Sequence, residues 1–339
     1  MSRASLVILP AALALLVLSV GMAVSVGAVA IPFATVWKIA LSHVAPGQIV
    51  PDWSVGRDSI VWQIRFPRVL LAGLVGAGLA ATGAALQSVT RNPLADPHLL
   101  GISAGGAFGA ILALMHTGLF LGSLTVPLMA FAGALVATGL VLAVVRLAGA
   151  SSADRLVLVG VAVSFVIMAG ANLLIFLGDA KAAHTVVFWM LGSLGLAQWP
   201  HLIWPLAVLV PSFGWLWLQA PRLNAMALGD ETAATLGLKV ARFRLTVFVV
   251  AALITGVMVA FSGMIGFVGL MMPHLMRMIF GHDNARILPA SAVAGAVGLI
   301  WADACARVVM APEDLSIGVV TGLVGGLFFI WMVTRGRPG

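Results

Sequence analysis

Three sets of polar residues in this sequence could do chemistry. Arg65, Arg68 and Arg307 are cations at the ends of apolar runs. A guanidinium there either anchors a helix at a membrane interface or meets acidic groups on a partner. The stretch 221–244 is the most polar island of the chain. Its apolar residues at 226, 228, 233, 236 and 238, punctuated by Gly229 and Gly237, predict a short amphipathic helix over about 224–238, too short to be a span. Asp230 and Glu231 near its start would favour the helix dipole. The third is Asn172, the one amide inside the apolar run from Leu156 to Gly178. A polar group at such a position faces a cavity or hydrogen-bonds to another helix.

Other chemistries are missing from the pattern. No G-x-x-x-x-G-K-[ST] phosphate loop occurs, so any ATP hydrolysis must come from another chain. The apolar runs carry no paired carboxylates and no Glu/Asp/His relay; Asp303 lies near the end of one. That argues against coupling to protons or sodium. A single cysteine, Cys305, allows no intramolecular disulfide and no Cys-based metal site; it reads as a small buried hydrophobe. The expectation is a chain that is not an enzyme and binds no metal or cofactor of its own.

The elements that must carry these residues are membrane helices. The sequence is 62% hydrophobic and 9% charged, where a soluble domain carries about 25% charged residues. The net charge of +7 is spread as single charges at the ends of apolar runs rather than in clusters, so nucleic acid is not a partner. The runs predict an all-α polytopic protein of about ten spans, at 6–31, 66–90, 99–115, 124–145, 156–178, 202–218, 245–262, 269–281, 287–309 and 315–334. A-V-A at 28–30 has the form of a signal-peptide cleavage site, but its run is long for that and reads as a retained first span. Residues 32–64 read as a connection too polar to be buried, and 179–199 as an interfacial or re-entrant segment. With both termini on the cytoplasmic side, Lys and Arg favour that side by about two to one. A weak inverted echo pairs G-L-A-A-T-G at 78–83 with G-V-M-V-A-F-S-G at 256–263; ordinary glycine-rich packing accounts for it equally well.

One stretch carries a resemblance. R-F-P-R at 65–68, the small-residue run after it, and R-N-P-L-A-D-P-H-L-L-G-I-S-A-G from Arg91 to Gly105 resemble the iron-chelate, heme and vitamin B12 permeases of bacterial ATP-binding-cassette importers. A-x-x-L-G-x-x-x-A-x-x-L-G at 225–237 is a second match, far from the first. The resemblance implies a vitamin B12 permease-like fold working as a homodimer in the inner membrane. Its partners would be two ATPase subunits carrying ATP and magnesium, a periplasmic substrate-binding protein, and membrane lipid. It gives Leu228, Gly229, Asp230, Glu231, Ala233, Leu236 and Gly237 to a coupling helix that inserts into the ATPase. It gives Arg65, Arg68 and Arg307 to docking of the binding protein. Asn92, Leu94, Ser151 and Ser152 would form the cytoplasmic gate, in the loops after spans two and four. The fifth span would line the passage, with Met168, Asn172, Phe176 and, more weakly, His184.

The cargo in such proteins is a ferric siderophore, heme or cobalamin. F-W-M-L-G-S-L at 188–194 is more similar to heme and siderophore permeases than to the vitamin B12 permease. Heme is therefore the expected substrate, with a ferric siderophore as the alternative. From a different class, an ion-coupled secondary transporter would fit the composition but neither the charge-free spans nor the polar island, and a purely structural membrane scaffold does not suit the loop chemistry at 91–97.

Overall fold

A computed structural model describes residues 3–149 and 152–335. The helices run in order as α1 (Arg3–Ser25), α2 (Phe33–Val44), α3 (Val55–Asp58), α4 (Phe66–Thr90) and α5 (Ile102–Leu112). Next come α6 (Thr125–Leu147), α7 (Ala153–Leu177), α8 (Ala180–Met190), α9 (Ile203–Leu218) and α10 (Ala220–Leu228). The last are α11 (Asp230–Thr235), α12 (Val240–Ser262), α13 (Val268–Phe280), α14 (Asn284–Val309) and α15 (Ile317–Arg335). No strand occurs among the described residues. Seven helical segments are long and apolar enough to cross a membrane, and Ala11–Ser25, Ile102–Thr117 and Val268–Phe280 are shorter apolar helices.

Helix α4 is the axis of the bundle, and its small residues are the reason. Its apolar window is 78% buried, against 11% for α7. Lipid supplies no hydrophobic drive between helices, so contact depends on how closely backbones approach. At Gly76 an added Cβ would lie 2.1 Å from the Gly295 carbonyl oxygen, and at Gly83 1.9 Å from that of Gly269. Helix α14 crosses α4 antiparallel, with Gly76 opposite Gly295 and Ser88 opposite Asn284. Helices α5 and α6 repeat the device with Gly105 against Gly133.

Several expected boundaries are corrected. The first span stops at Ser25, well short of residue 31, and the supposed polar connection 32–64 is largely helical. Val36, Ile39 and Ala40 of α2 are buried, and Ser59–Arg65 forms a π-wound entry that makes Val55–Thr90 continuous. The expected single coupling helix is two, α10 and α11, because Gly229 at φ +124° breaks it. Cys305 is exposed rather than buried.

Helix α13 is too short to cross about 30 Å of hydrocarbon at 1.5 Å per residue. It begins midway along α4, where Gly269 meets Leu79 and Gly83, and is reached through a non-helical segment, 263–267. Such backbone is tolerated at membrane depth only when the protein satisfies it. His98 does so for the Ile265 carbonyl, 2.7 Å from its Nε2, while its Nδ1 faces the Ser103 hydroxyl. That contact requires the tautomer with hydrogen on Nε2.

Candidate functional site

The site residues fall at two ends of the bundle and along α7. At the Arg91 end, α10 and α11 are bolted onto three spans. The Arg244 guanidinium of α12, 1% exposed, donates to the Val89 carbonyl of α4 (3.2 Å) and to Asp230 Oδ1 (2.6 Å). Arg91, left-handed at the close of α4, stands 4.0 Å from the same carboxylate oxygen. Asn224 of α10 donates to Asp283 (2.8 Å) and accepts from the Asn284 backbone and side-chain amides, both 2.8 Å. The Asn224 hydrogen bond, with a second from the Ala285 N–H, holds the Asp283 carboxyl below its ordinary value. Asn284 in turn meets the Ser88 hydroxyl of α4 at 2.9 Å.

This fixing leaves Leu228 and Leu236 72% and 65% exposed, outside any span. Ala233 is buried, Asp230 half-buried, and Glu231 and Gly237 are exposed. Replacing Asp230 by Ala takes its carboxylate away from the buried Arg244 guanidinium. The expected cost is about 1.5–3 kcal/mol, the usual worth of a hydrogen bond to a charged group, read as a lowered unfolding midpoint in detergent. Glu231→Ala, at an exposed side chain with no ion pair among the described residues, should shift the midpoint little.

The gate residues converge only in part. A pocket of about 260 Å³ is lined by Thr90 at the end of α4, Asn92 in the loop after it, and Ala153, Asp154, Val157, Leu158 and Val161 from α7. Asn92 Oδ1 accepts from the Leu94 N–H at 2.8 Å, closing a tight turn. Leu94 is exposed, Ser152 precedes α7 as its N-cap, and Ser151 lies outside the described residues.

Along α7, Leu158, Ala162, Phe165, Ala169, Asn172 and Phe176 are all exposed, at alternating spacings of four and three. They share one face of the helix, within a wider exposed surface that also takes in Val166, Leu173 and Leu177. Met168 departs from the expectation: it is half-buried, packed with Ala107, Ile111, Ala171 and Val186. His184 is exposed on α8, apart from the α7 stripe.

At the other end the structure corrects the picture of three presented cations. Arg65, Arg68 and Arg307 are 6%, 7% and 6% exposed. Helix α1 ends with carbonyls that have no intrahelical partner. Arg65 donates to those of Val24 (2.8 Å) and Ser25 (3.2 Å), and to the carbonyl of Val29 (2.6 Å) in the segment that follows. Arg307 donates to that of Ala23 (2.8 Å) and to the carbonyl of Val26 (2.7 Å), just past the helix. Cations at a helix C-terminus also suit its dipole. Arg68 donates to Asp303 Oδ1 at 2.8 Å and to Asp314, and Arg307 Nε lies 3.0 Å from Asp303 Oδ2. Asp303, fully buried, is therefore the counter-charge to two arginines.

Sequence reasoning did not single out Arg244, Asp314, Asn224, Asn284 or His98. Arg244 alone carried a visible signal, as a cation at the edge of a long apolar run. Among the described residues, no group of three or more His, Cys, Asp or Glu is placed to hold a metal ion.

Comparison with known proteins places this arrangement. The profile of the FecCD transport family matches residues 14–335. The hemin transport system permease protein HmuU of Yersinia pestis is 36% identical over 337 residues, covering 95% of this chain and 93% of that one. The vitamin B12 import system permease protein BtuC of Salmonella typhi is 38% identical over 293 residues, covering 86% and 88%. A solved inward-facing conformation of a metal-chelate type ABC transporter superposes with a TM-score of 0.82 at 30% identity, covering 97% of this chain and 99% of the other.

Proposed function

The chain belongs to the FecCD transport family of ABC importer permease subunits, and from that membership we propose that it moves heme across the bacterial inner membrane. It would act as a homodimer, with both termini cytoplasmic, two separate ATPase subunits at the Arg91 end and a periplasmic binding protein at the Arg68 end. The observation that carries this reading is the exposed stripe on α7 with Asn172 in it. An amide facing lipid is costly, so the stripe is better matched to a second copy across a passage, where Phe165 and Phe176 give a large flat cargo an apolar wall. Leu228 and Leu236, apolar and exposed on a segment held rigidly to α4, α12 and α14, suit insertion into an ATPase. Because Arg65, Arg68 and Arg307 are internally paired, their contribution to docking would be to shape that end from beneath.

Similarity to both the hemin and the vitamin B12 permeases makes a ferric siderophore the competing cargo, and cobalamin a weaker one. The test is uptake into liposomes holding the permease with its ATPase, the binding protein outside and ATP inside, offered heme and a ferric siderophore in parallel. ATP-dependent heme accumulation is the expected result. Siderophore uptake alone would overturn the cargo, and uptake driven by an ion gradient without ATP would overturn the mechanism. Leu236→Arg, which buries a charge in the proposed ATPase contact, should lower uptake roughly tenfold or more with the permease still folded.

A further inference from the structure

A cleft of about 500 Å³ opens at the Arg91 end between the start of α12 and the close of α9, lined by Trp215, Arg222, Leu236–Lys239, Arg242, Phe243 and Thr246. Three of these residues, Arg222, Lys239 and Arg242, are exposed cations, and no lining residue is acidic. Among the described residues none of the three cations is ion-paired; Arg222 only donates to the neutral Gln219 side chain at 2.8 Å. Three like charges around one cleft repel one another and lower the cost of bringing in an anion. Trp215 and Phe243, with ring centroids 6.4 Å apart, supply an aromatic wall.

The level of the cleft identifies the anion. Trp215, Arg242, Phe243 and Thr246 belong to Trp199–Leu218 and Val240–Ser262, two of the segments apolar enough to span the membrane. The cations flank the polar ends of those spans, the position at which basic side chains meet lipid headgroups. Leu218, Leu245 and Val249 are exposed on the same two helices, apolar surface that acyl chains can cover. Tryptophan is favoured at this interface because its ring is apolar and its N–H polar.

We propose that this cleft binds the phosphodiester headgroup of an anionic phospholipid, with the acyl chains along α9 and α12. Basic pockets between membrane helices act in this way. The lipid would steady the junction of α11 and α12 that carries Leu236.

The test is native mass spectrometry of the full chain, alone and in the assembled importer, with equal amounts of phosphatidylglycerol and phosphatidylcholine. The expected result is preferential retention of phosphatidylglycerol, falling about fivefold for each cation lost in Arg222→Gln, Lys239→Gln and Arg242→Gln. The variant pair Arg146→Gln and Arg286→Gln, exposed charges outside the cleft, should leave it unchanged. Equal retention of the two lipids, or a preference indifferent to the three cleft substitutions, would overturn the proposal. Displacement of the lipid by millimolar inorganic phosphate would reassign the cleft to free anions. Loss of the preference on assembly would reassign it to a partner subunit.

Discussion

Asp303→Ala is expected to cost about 3–5 kcal/mol, the usual penalty when one partner of a buried ion pair is removed. The residue is fully buried and neutralises Arg68 and Arg307, themselves 8% and 6% exposed at the side chain. Removing it leaves two guanidiniums with excess charge between α4 and α14, where water cannot screen them. Arg307 also holds the end of α1, so loss of order should spread there, and Ala23 and Val24 should lose hydrogen-exchange protection. Asp314, the second carboxylate on Arg68, is 39% exposed. Its replacement by Ala should cost no more than about 1 kcal/mol, as for other solvent-exposed pairs. Unfolding midpoints of the two variants in the same detergent check this. Equal midpoints would show that Asp303 is not the counter-charge.

Gly83→Ala should be the more damaging of two chemically identical changes. Within a helix, Gly to Ala ordinarily stabilises by roughly 0.5–1 kcal/mol. At Gly139 of α6 an added Cβ meets nothing within 4 Å, so Gly139→Ala should be neutral or mildly favourable. At Gly83 the same methyl would sit 1.9 Å from the Gly269 carbonyl oxygen. Backbone cannot rotate aside, so α4 and α13 must separate, at about 1–3 kcal/mol or more for overpacking. Separation also pulls Gln87 from the Gly269 and Leu270 carbonyls it meets at 3.3 and 3.4 Å. The midpoint should fall for Gly83→Ala and hold for Gly139→Ala; a pair that behave alike would deny the close approach.

The gap between what was legible and what was not follows one physical line. Whether a segment enters the membrane depends on its own side chains, so composition alone placed α4, α6, α7, α12 and α14 in lipid, and the ordered motifs at 65–105 and 225–237 pointed to the family. The small-residue run in α4 likewise announced close packing. What a polar residue does inside the bundle depends on its neighbours in space, and these lie far off in the chain. Arg68 reads as an interfacial cation until α14 brings Asp303 beside it. Arg65 reads as a docking charge until the carbonyls at the end of α1, some forty positions earlier, close on it. The island at 221–244 shows its amphipathic pattern, but its break at Gly229 and the grip of Arg244 on Asp230 belong to the assembled end of three helices. Local hydrophobicity determined which parts of this protein cross the membrane. Only the packing of helices decided which charges are spent inside it and which surfaces, the α7 stripe and the exposed leucines of α10 and of the turn after α11, are left to meet something else.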